Sequence, residues 1–456
     1  MKPLTIDQVA KAVGGTPNRP DMADVTISGV SFDTREAMEG KLFIPLKGAH
    51  HDGHEFLHEA VKCGAACVIS ERETFVDAII VKDAAQALKD LAEYYRSLFD
   101  VKIIGITGSN GKTSAKDMIA SVLSEKYKVV KTIGNFNNEI GLPTTIFNID
   151  ETTEVAVLEM GMNNLGEISR LSKIAKPNYA IITNIGVAHI ENLGSQENIF
   201  KAKSEILDHL SPDGKVYLNG DDDFLLRYRD RKDFIFFGRS LRNAYKPLEE
   251  ENTDLYSSNY SIVLKNGEKL DIYVPSPGRH MVMNSLVAVA LGEELGLDAA
   301  QIAEGIRRFK SSGMRMNVIE TTGGMRVIDD CYNASPDSVK AALEVLTKAE
   351  GNTVAILGDM YELGENTSEM HFDVGVEAAR LCISTIICVG ESSEATYEGA
   401  YSQYRTNASN SEIIYFNSKQ DCIDHLPRIV RPGDTILVKA SRGMKFEEIV
   451  SWLGDM

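Results

Sequence analysis

Residues 101–114 read Val101-Lys-Ile-Ile-Gly-Ile-Thr-Gly-Ser-Asn-Gly-Lys-Thr-Ser114. The mostly apolar first half predicts a buried strand, and a helix is expected to begin near Thr113. A glycine-rich loop between a strand and a helix points backbone N–H groups at a phosphate. The Lys112 ammonium would then reach the β and γ phosphate oxygens, and the Thr113 hydroxyl would reach magnesium. The stretch therefore predicts a nucleoside triphosphate site, formed by Gly108, Asn110, Gly111, Lys112 and Thr113.

Strands alternate with helical segments on the carboxyl side of this loop. This pattern predicts βαβ units, which build a mainly parallel sheet with helices on both faces. Shorter features include a strand near 27–32, a helix over about 196–210 and an antiparallel insertion at 239–275. The predicted fold class is α/β with three domains: a small mixed α/β domain (1–98), a central P-loop ATPase-like doubly wound sheet (99–312) and a carboxy-terminal Rossmann-like domain (313–456).

Composition excludes several classes of protein. The 456 residues contain 48 Lys and Arg against 66 Asp and Glu, a formal net charge of −18. Such a surface repels phosphate backbones and anionic lipids, so neither nucleic-acid binding nor membrane insertion is expected. The amino terminus lacks the apolar core of a signal peptide, and no apolar run approaches the roughly 18 residues that a membrane span needs. Six scattered cysteines fit reduced thiols, so we expect a cytoplasmic protein.

The phosphate loop departs from the strict Gly-x-x-x-x-Gly-Lys-Ser/Thr spacing, because Ile stands at position 106. No Asn-Lys-x-Asp motif follows, which argues against a GTPase. The run Thr107-Gly-Ser-Asn-Gly-Lys-Thr113 instead resembles the phosphate loop of the Mur ligases, which form amide bonds between an amino acid or peptide and a growing peptide. The resemblance implies ATP, two magnesium ions and an acyl-phosphate intermediate.

Candidates for the chemistry of such a ligase follow in the order of the family's motifs. Glu159 ends a predicted strand at the carboxyl edge of the sheet, where a carboxylate can hold magnesium beside phosphates. By resemblance, His189 helps to hold a second magnesium, with Asn184 beside it. Lys203 resembles a lysine that carries a carbamate, which turns a cation into an anionic metal ligand. The residues alone do not choose between Lys203 and Lys201; only the resemblance favours Lys203.

Four further positions resemble those that face the nucleotide in this family. The resemblance assigns Arg315 to the γ-phosphate, since an arginine just past a domain boundary suits closure onto that group. Asp330 would bond a ribose hydroxyl and Asn333 would contact the adenine or its surroundings. Asn284 completes this set. The catalytic set implied by the resemblance is Lys112, Glu159, His189, Lys203 and Arg315, and its metal ligands are Thr113, Glu159, His189 and Lys203.

Three stretches resemble the branch of the family that adds D-alanyl-D-alanine to UDP-N-acetylmuramoyl-tripeptide. They are Asp330–Asp337, the Asn-rich loop Thr132–Thr145, and Val438–Met444, where Ala440 replaces a glycine. At the amino end, Val30–Arg35 and Phe43–Phe56 resemble the family's UDP-sugar recognition domain. The implied substrate contacts are Ser31, Asp33, Thr34, Arg35, Asn135, Asn137, Asn138, Lys439, Ser441 and Arg442. A monomer that closes its domains on ligands is expected.

Other interpretations remain open at this stage. The ligase alternatives are a diamino-acid-adding Mur ligase and a folylpolyglutamate-type synthetase, and the alternatives from other classes are a P-loop NTPase switch and a non-catalytic binding protein. A separate motif, His54-Glu-Phe-Leu-His58, matches the zinc-peptidase pattern, and His50 and His51 stand nearby. A charged turn without zinc is the favoured interpretation of that motif.

Overall fold

The computed structural model describes residues 1–48, 51–249, 252–405 and 410–456. Sheets and helices divide into three consecutive regions, as the α/β pattern predicts. The predicted boundaries at 98/99 and 312/313 fall in connecting segments, and they stay predictions. Among the described residues, no helix is both long and apolar enough to cross a membrane.

The described residues of the amino-terminal region form two small sheets and three α-helices, with short 3₁₀ turns between them. Its five-stranded sheet has the order β2-β7-β6-β5-β4, with only the β2–β7 pair antiparallel, and β1 pairs with β3 separately. Its elements are β1 Leu4–Thr5, α1 Ile6–Val13, β2 Thr16–Pro17, β3 Thr26–Ile27, β4 Gly29–Ser31, β5 Lys41–Phe43, α2 Leu57–Lys62, β6 Cys67–Ser70, β7 Ala78–Ile80 and α3 Ala84–Ser97.

The central region is built on a parallel six-stranded sheet of order β13-β12-β11-β8-β10-β9. Its central strands are buried, which accounts for their continuous apolar sequence. The elements of this sheet and its helices are β8 Lys102–Thr107, α4 Lys112–Leu123, β9 Val129–Lys131, α5 Gly141–Ile146, β10 Val155–Glu159, α6 Glu167–Ala175, β11 Tyr179–Ile182, α7 Ile190–Leu193, α8 Gln196–Ser204, β12 Lys215–Asn219 and β13 Phe234–Phe237.

An antiparallel sheet and two helices complete this region. The strands are β14 Asn252–Thr253, β15 Ser258–Val263 and β16 Lys269–Val274, and the helices are α9 Arg279–Glu294 and α10 Ala299–Arg307. The β15–β16 hairpin confirms the antiparallel insertion predicted at 239–275, and Gly267 at its turn has a φ of +85°. Helix α9 is buried along most of its length and packs against α4. This packing supports the helix that follows the phosphate loop.

The carboxy-terminal region contains a second six-stranded sheet of order β17-β18-β22-β19-β20-β21, parallel except for β17. The doubly wound arrangement confirms the predicted fold class. The elements are β17 Asn317–Glu320, β18 Arg326–Asp329, α11 Pro336–Leu346, β19 Thr353–Gly358, α12 Thr367–Arg380, β20 Thr385–Val389, α13 Ser393–Arg405, β21 Glu412–Phe416, α14 Lys419–Ile429, β22 Thr435–Lys439 and α15 Glu447–Asp455.

Two local predictions are wrong in detail. The predicted strand at 27–32 is two strands, because Ile27 pairs with Leu4 while Gly29–Ser31 pairs with β5 in another sheet. The predicted helix at 196–210 ends at Ser204 and tightens into a 3₁₀ turn. There the Glu205 carboxylate accepts hydrogen bonds from backbone N–H groups at the start of α6, so a tertiary contact accompanies the change.

Candidate active site

The candidate site lies where three adjacent central strands end. Strands β11, β8 and β10 are neighbours, and Ile182 is level with Thr107 while Glu159 is level with Ile106. Parallel strands present their carboxyl ends at one edge, and ligands bind there where the strand order reverses. The phosphate loop, Glu159 and the segment after β11 therefore meet.

The phosphate loop is fixed by the segment that follows β11. The Thr183 hydroxyl donates to the carbonyl oxygen of Asn110 at 2.6 Å, and the backbone N–H of Asn110 donates to Asn184 Oδ1 at 2.9 Å. Gly108 has a φ of +149°, and a Cβ there would lie 1.9 Å from Thr183 Oγ1. This close approach requires glycine at 108. Asn184 thus holds the loop in place.

Lys112 lies over the loop that it follows. Its Nζ donates to the carbonyl oxygens of Gly108 at 2.8 Å and Ser109 at 3.4 Å. Burial lowers the pKa of Lys112, and the nearby charge of Arg315 adds to the lowering, whereas Glu159 opposes it. Cationic groups are therefore concentrated around the loop of an otherwise acidic protein.

Glu159 is buried at the end of β10, with one carboxylate oxygen bonded and the other not. Its Oε1 accepts a hydrogen bond from Asn137 Nδ2 at 2.8 Å. Its Oε2 is buried and has no hydrogen-bond partner within the described part of the chain. A buried carboxylate oxygen without a partner is costly unless a cation meets it. This oxygen is therefore a suitable magnesium ligand.

Lys203 is buried on α8 with an exposed fraction of 2%. Among the described residues, neither a hydrogen-bond partner nor an acidic group contributes to the pKa of its amine. Burial and the charge of Lys112 hold the pKa of Lys203 well below its usual value. Its amine is therefore driven toward the neutral, nucleophilic form.

Arg315 lies on a linker with an unusual backbone. Met314 and Met316 on either side of it have φ values of +62° and +49°, in the left-handed region that side chains other than glycine seldom adopt. The Arg315 guanidinium carbon lies 4.1 Å from the ring centre of Tyr332. The backbone N–H of Met316 donates to Asp330 Oδ1 at 3.2 Å. These contacts stabilise a linker conformation that brings Arg315 toward the phosphate loop.

Asp330 and Lys439 form a buried ion pair at the carboxyl edge of the six-stranded sheet in the carboxy-terminal region. Lys439 Nζ lies 2.5 Å from Asp330 Oδ2 and also donates to the carbonyl oxygen of Asn333 at 3.1 Å. Lys439 ends β22, and Asp330 follows β18, which is the neighbouring strand. The side chain predicted to face the nucleotide is therefore linked to one predicted to face the incoming dipeptide.

A cavity of about 650 Å³ joins the central and carboxy-terminal regions. Its lining contains most of the residues singled out in the sequence. They are Asn110, Gly111, Lys112, Thr113, Asn137, Glu159, His189, Asn284, Arg315, Asp330, Asn333, Lys439, Ser441 and Arg442. One cavity thus brings the phosphate loop together with the carboxy-terminal residues.

The other predicted site residues do not line this cavity, whose lining is defined by the described residues. They are Ser31, Asp33, Thr34, Arg35, Gly108, Asn135, Asn138 and Lys203. Gly108 contributes a carbonyl oxygen to Lys112 instead. Asn138 Oδ1 accepts from the N–H groups of Ile140 and Gly141, so it caps the start of α5. The substrate roles predicted for Asn135 and Asn138 are not supported by this cavity and stay predictions.

The predicted UDP-binding residues form a separate cluster on the amino-terminal region. Arg35 donates to both carboxylate oxygens of Asp33, which lowers the pKa of Asp33 to about 2. The buried Ser31 hydroxyl donates to Glu36 Oε2 at 2.9 Å. These polar groups bond to one another, and the roles predicted for them and for Thr34 stay predictions.

Two residues of the site, Ser335 and Glu362, were not predicted from the sequence. The Ser335 hydroxyl at the start of α11 donates to Asn110 Oδ1 at 3.0 Å and so links the third region to the phosphate loop. Ser335-Pro336 is recognisable as a helix start, but not as a loop contact. Glu362 Oε2 lies 2.6 Å from His189 Nδ1, and no local pattern marks Glu362.

The zinc-peptidase pattern has a structural explanation. His54 is buried, its Nδ1 lies 2.7 Å from Asp52 Oδ1, and the backbone N–H of Glu71 donates to its Nε2 at 3.3 Å. Both ring nitrogens are therefore engaged. His54 lies in a 3₁₀ turn while His58 lies in α2, so the two are not on one continuous α-helix. His50 lies outside the described residues.

Three family models match this chain, one in each of its three regions. The description "Mur ligase family, catalytic domain" matches residues 26–98, "Mur ligase middle domain" matches 106–292, and "Mur ligase, glutamate ligase domain" matches 314–442. UDP-N-acetylmuramoyl-tripeptide–D-alanyl-D-alanine ligase of Bacillus subtilis (strain 168) is 38% identical over 453 residues, which cover 98% of this chain and 97% of the relative.

Solved structures agree with the sequence relatives. MurF from Acinetobacter baumannii matches with a TM-score of 0.93 at 31% identity, covering 100% of both chains. MurF from Thermotoga maritima, solved in complex with ADP, matches with a TM-score of 0.82 at 28% identity, covering 93% of this chain and 96% of that one. The predicted resemblance is thereby confirmed, and the chain belongs to the Mur ligase family of ATP-dependent ligases.

Proposed function

We propose that this protein joins D-alanyl-D-alanine to the terminal carboxylate of UDP-N-acetylmuramoyl-tripeptide and consumes ATP, a step of peptidoglycan precursor synthesis. The main observation in support of this function is that one cavity is lined by both the phosphate loop and the carboxy-terminal residues Lys439, Ser441 and Arg442. Nucleotide and incoming amine can therefore meet there. The 38% identity to the Bacillus subtilis ligase supports the choice of substrates.

The reaction proceeds in two balanced steps. A carboxylate oxygen of the tripeptide attacks the γ-phosphorus of ATP, the bond to the β-γ bridging oxygen breaks, and ADP leaves with that bond's electrons. The neutral amine of D-alanyl-D-alanine then attacks the acyl carbon, phosphate leaves and the amine loses a proton. The first step brings two anions together, and the second builds negative charge on the acyl oxygen and the departing phosphate, so the site must supply positive charge. Lys112 and Arg315, which both line the cavity, supply it.

The residues present fit two magnesium ions. Glu159 Oε2, which has no hydrogen-bond partner among the described residues, and the Thr113 hydroxyl are oxygen donors of the kind that magnesium takes. We assign the first ion to these two groups and the second to His189 and Lys203. When bound, the ions would neutralise phosphate charge and help to align the reacting oxygens.

A carbamate on Lys203 explains two features of that residue together. Its side chain is buried with no hydrogen bond or acidic group of the described residues acting on its amine, and its pKa is held well below the usual value. Attack of the neutral amine on carbon dioxide forms an N–C bond and releases a proton. The product is an anion that offsets nearby cations and offers oxygen ligands. An unmodified ammonium would leave a buried charge uncompensated.

The remaining assignments follow the three regions. Residues 1–98, with Ser31, Asp33, Thr34 and Arg35, would hold the UDP-sugar, residues 99–312 would hold ATP, and residues 313–456 would hold the dipeptide. Asn135, Asn137 and Asn138 would face the peptide. The cytoplasm is the proposed location because ATP and UDP-linked precursors are available there, and a monomer is the proposed state.

One assay tests the function. Purified protein is incubated with ATP, Mg²⁺ and UDP-N-acetylmuramoyl-tripeptide, and ADP release is compared with D-alanyl-D-alanine, D-alanine, diaminopimelate or glutamate as the amine. We expect ADP release that is coupled to ligation only with D-alanyl-D-alanine. The mass of the product should then exceed that of the UDP-N-acetylmuramoyl-tripeptide by the mass of the added dipeptide residue. Ligation of single amino acids would favour a different Mur ligase or a folylpolyglutamate-type synthetase, and ATP hydrolysis without any ligation would favour an NTPase switch.

A further inference from the structure

A contact between two domains involves a residue that the proposed reaction has not used. His189 belongs to the central region and immediately precedes α7, while Glu362 follows β19 in the carboxy-terminal region. Glu362 Oε2 lies 2.6 Å from His189 Nδ1, and both residues line the main cavity. The side chains are 49% and 23% exposed, respectively, so the contact lies at the edge of the site.

The backbone around this contact is specifically arranged. His189 and Glu362 each have a φ of +64°, a conformation that is unfavourable for both residue types. The backbone N–H of Glu191 donates to the carbonyl oxygen of Glu362 at 3.2 Å. Gly364 lies so close that a Cβ there would be 3.2 Å from Glu191 Cα. Two strained residues therefore meet where the loops of two domains bond to each other.

A carboxylate at Nδ1 determines what the opposite nitrogen can do. Glu362 Oε2 lies 2.6 Å from His189 Nδ1 without the alignment of a hydrogen bond, and a carboxylate this near Nδ1 favours the proton on that nitrogen and leaves the lone pair on Nε2. Histidines that bind metals commonly have such a partner, which also orients the ring. The partner here comes from a different domain than the histidine. Its presence therefore depends on how the domains are placed.

We propose that Glu362 is a positioning residue that holds His189 through Nδ1 so that Nε2 faces the second magnesium ion. The inference rests on the proposed function, because that function supplies the ion. Since Glu362 travels with the carboxy-terminal domain, the second metal site is complete only when that domain is docked. Docking of the domain that holds the dipeptide is thereby coupled to completion of the second metal site. When that domain is not docked, ATP is bound without a fully oriented second ion.

The test measures metal binding rather than turnover alone. Mn²⁺ is titrated into the full-length protein with a non-hydrolysable ATP analogue and followed by electron paramagnetic resonance. In Glu362→Gln and Glu362→Ala we expect the weaker of two Mn²⁺ ions to bind about tenfold less tightly, the usual range for losing an outer partner of a ligand, with the tighter ion unchanged. The matched control is Glu365→Gln, an exposed residue in the same loop.

A double-mutant comparison separates positioning from a general structural effect. If Glu362 acts through His189, then Glu362→Gln has no further effect on Mn²⁺ affinity in a His189→Ala background. Unchanged affinity in both Glu362 variants would overturn the inference, as would an equal loss with and without His189. If the wild-type protein ligates D-alanyl-D-alanine but binds a single Mn²⁺, the inference fails while the ligase function stands. Absence of ligation overturns the function itself.

Discussion

The hydroxyl of Ser312 donates a hydrogen bond to the carboxylate of Asp117, which links the domain linker to the helix of the phosphate loop. Asp117 is buried on α4, and its other oxygen lies 2.8 Å from Lys131 Nζ and 3.4 Å from Lys116 Nζ. Ser312 stands three residues before Arg315. The start of the linker that carries this arginine is thus attached to α4, the helix that follows the phosphate loop.

Ser312→Ala tests the importance of that attachment. The variant keeps Asp117 paired with its two lysines, so we expect little change in thermal stability. Loss of the bond frees the linker, and small displacements of a catalytic group are costly, so kcat should fall about tenfold. Steady-state kinetics at saturating ATP measure this, and Ser97→Ala, which removes an exposed hydroxyl bonded only within its own helix, is the control. An unaltered kcat would contradict the role of the linker contact.

Lys112→Met tests the charge over the phosphate loop. Lys112 Nζ bonds only to carbonyl oxygens of that loop among the described residues, so its removal should leave the circular dichroism spectrum and the melting temperature nearly unchanged. Without this cation, the developing charge on the phosphoryl group loses a stabilising partner, and the rate should fall about a thousandfold. Single-turnover ADP formation measures the loss. A variant that retains a substantial rate would remove Lys112 from the mechanism.

Local sequence is enough to predict the centre of this fold. Strand β8, the glycine-rich loop and helix α4 are adjacent in sequence, and their signals, an apolar run, glycines and a helix start, are local too. Glu159 can be predicted for a related reason. It ends a buried strand, and parallel strands of one sheet present their ends at the same edge.

Contacts made by domain docking cannot be predicted in this way. Glu362 meets His189, and Ser335 meets Asn110, across the junction between the central and carboxy-terminal regions, and both pairs are far apart in sequence. Nothing near either residue encodes that junction. The burial of Lys203 is similar: its sequence neighbour Lys201 is exposed on the same helix, and the difference depends on which face of α8 packs inward.

Gly399→Ala tests the packing of the third domain. Helices α12 and α13 approach so closely that a Cβ at Gly399 would lie 2.0 Å from the carbonyl oxygen of Phe372. A methyl group there must push the helices apart, which should lower the free energy of unfolding by about 3 kcal/mol. Gly454→Ala is the matched control, because Gly454 also lies in a helix but no atom of the described residues lies within 4 Å of an added Cβ. Urea unfolding compares the two, and equal stability would refute the close contact.

Lys203→Ala tests the carbamate, with Lys201→Ala as the control, because Lys201 is exposed two residues away on the same helix. We expect the Lys203 variant to lose about a hundredfold in rate and to regain part of it with short-chain carboxylic acids, while the Lys201 variant stays active.

The pKa of Lys203 lies well below its usual value, so its amine is neutral above that lowered pKa and available to carbon dioxide. As pH falls through it, the amine becomes protonated and the carbamate is lost. The wild-type rate should therefore fall on acidification, and more steeply in buffer stripped of carbon dioxide. Carbon-13 NMR with labelled bicarbonate detects the carbamate directly; a fully active enzyme without that signal would exclude the modification.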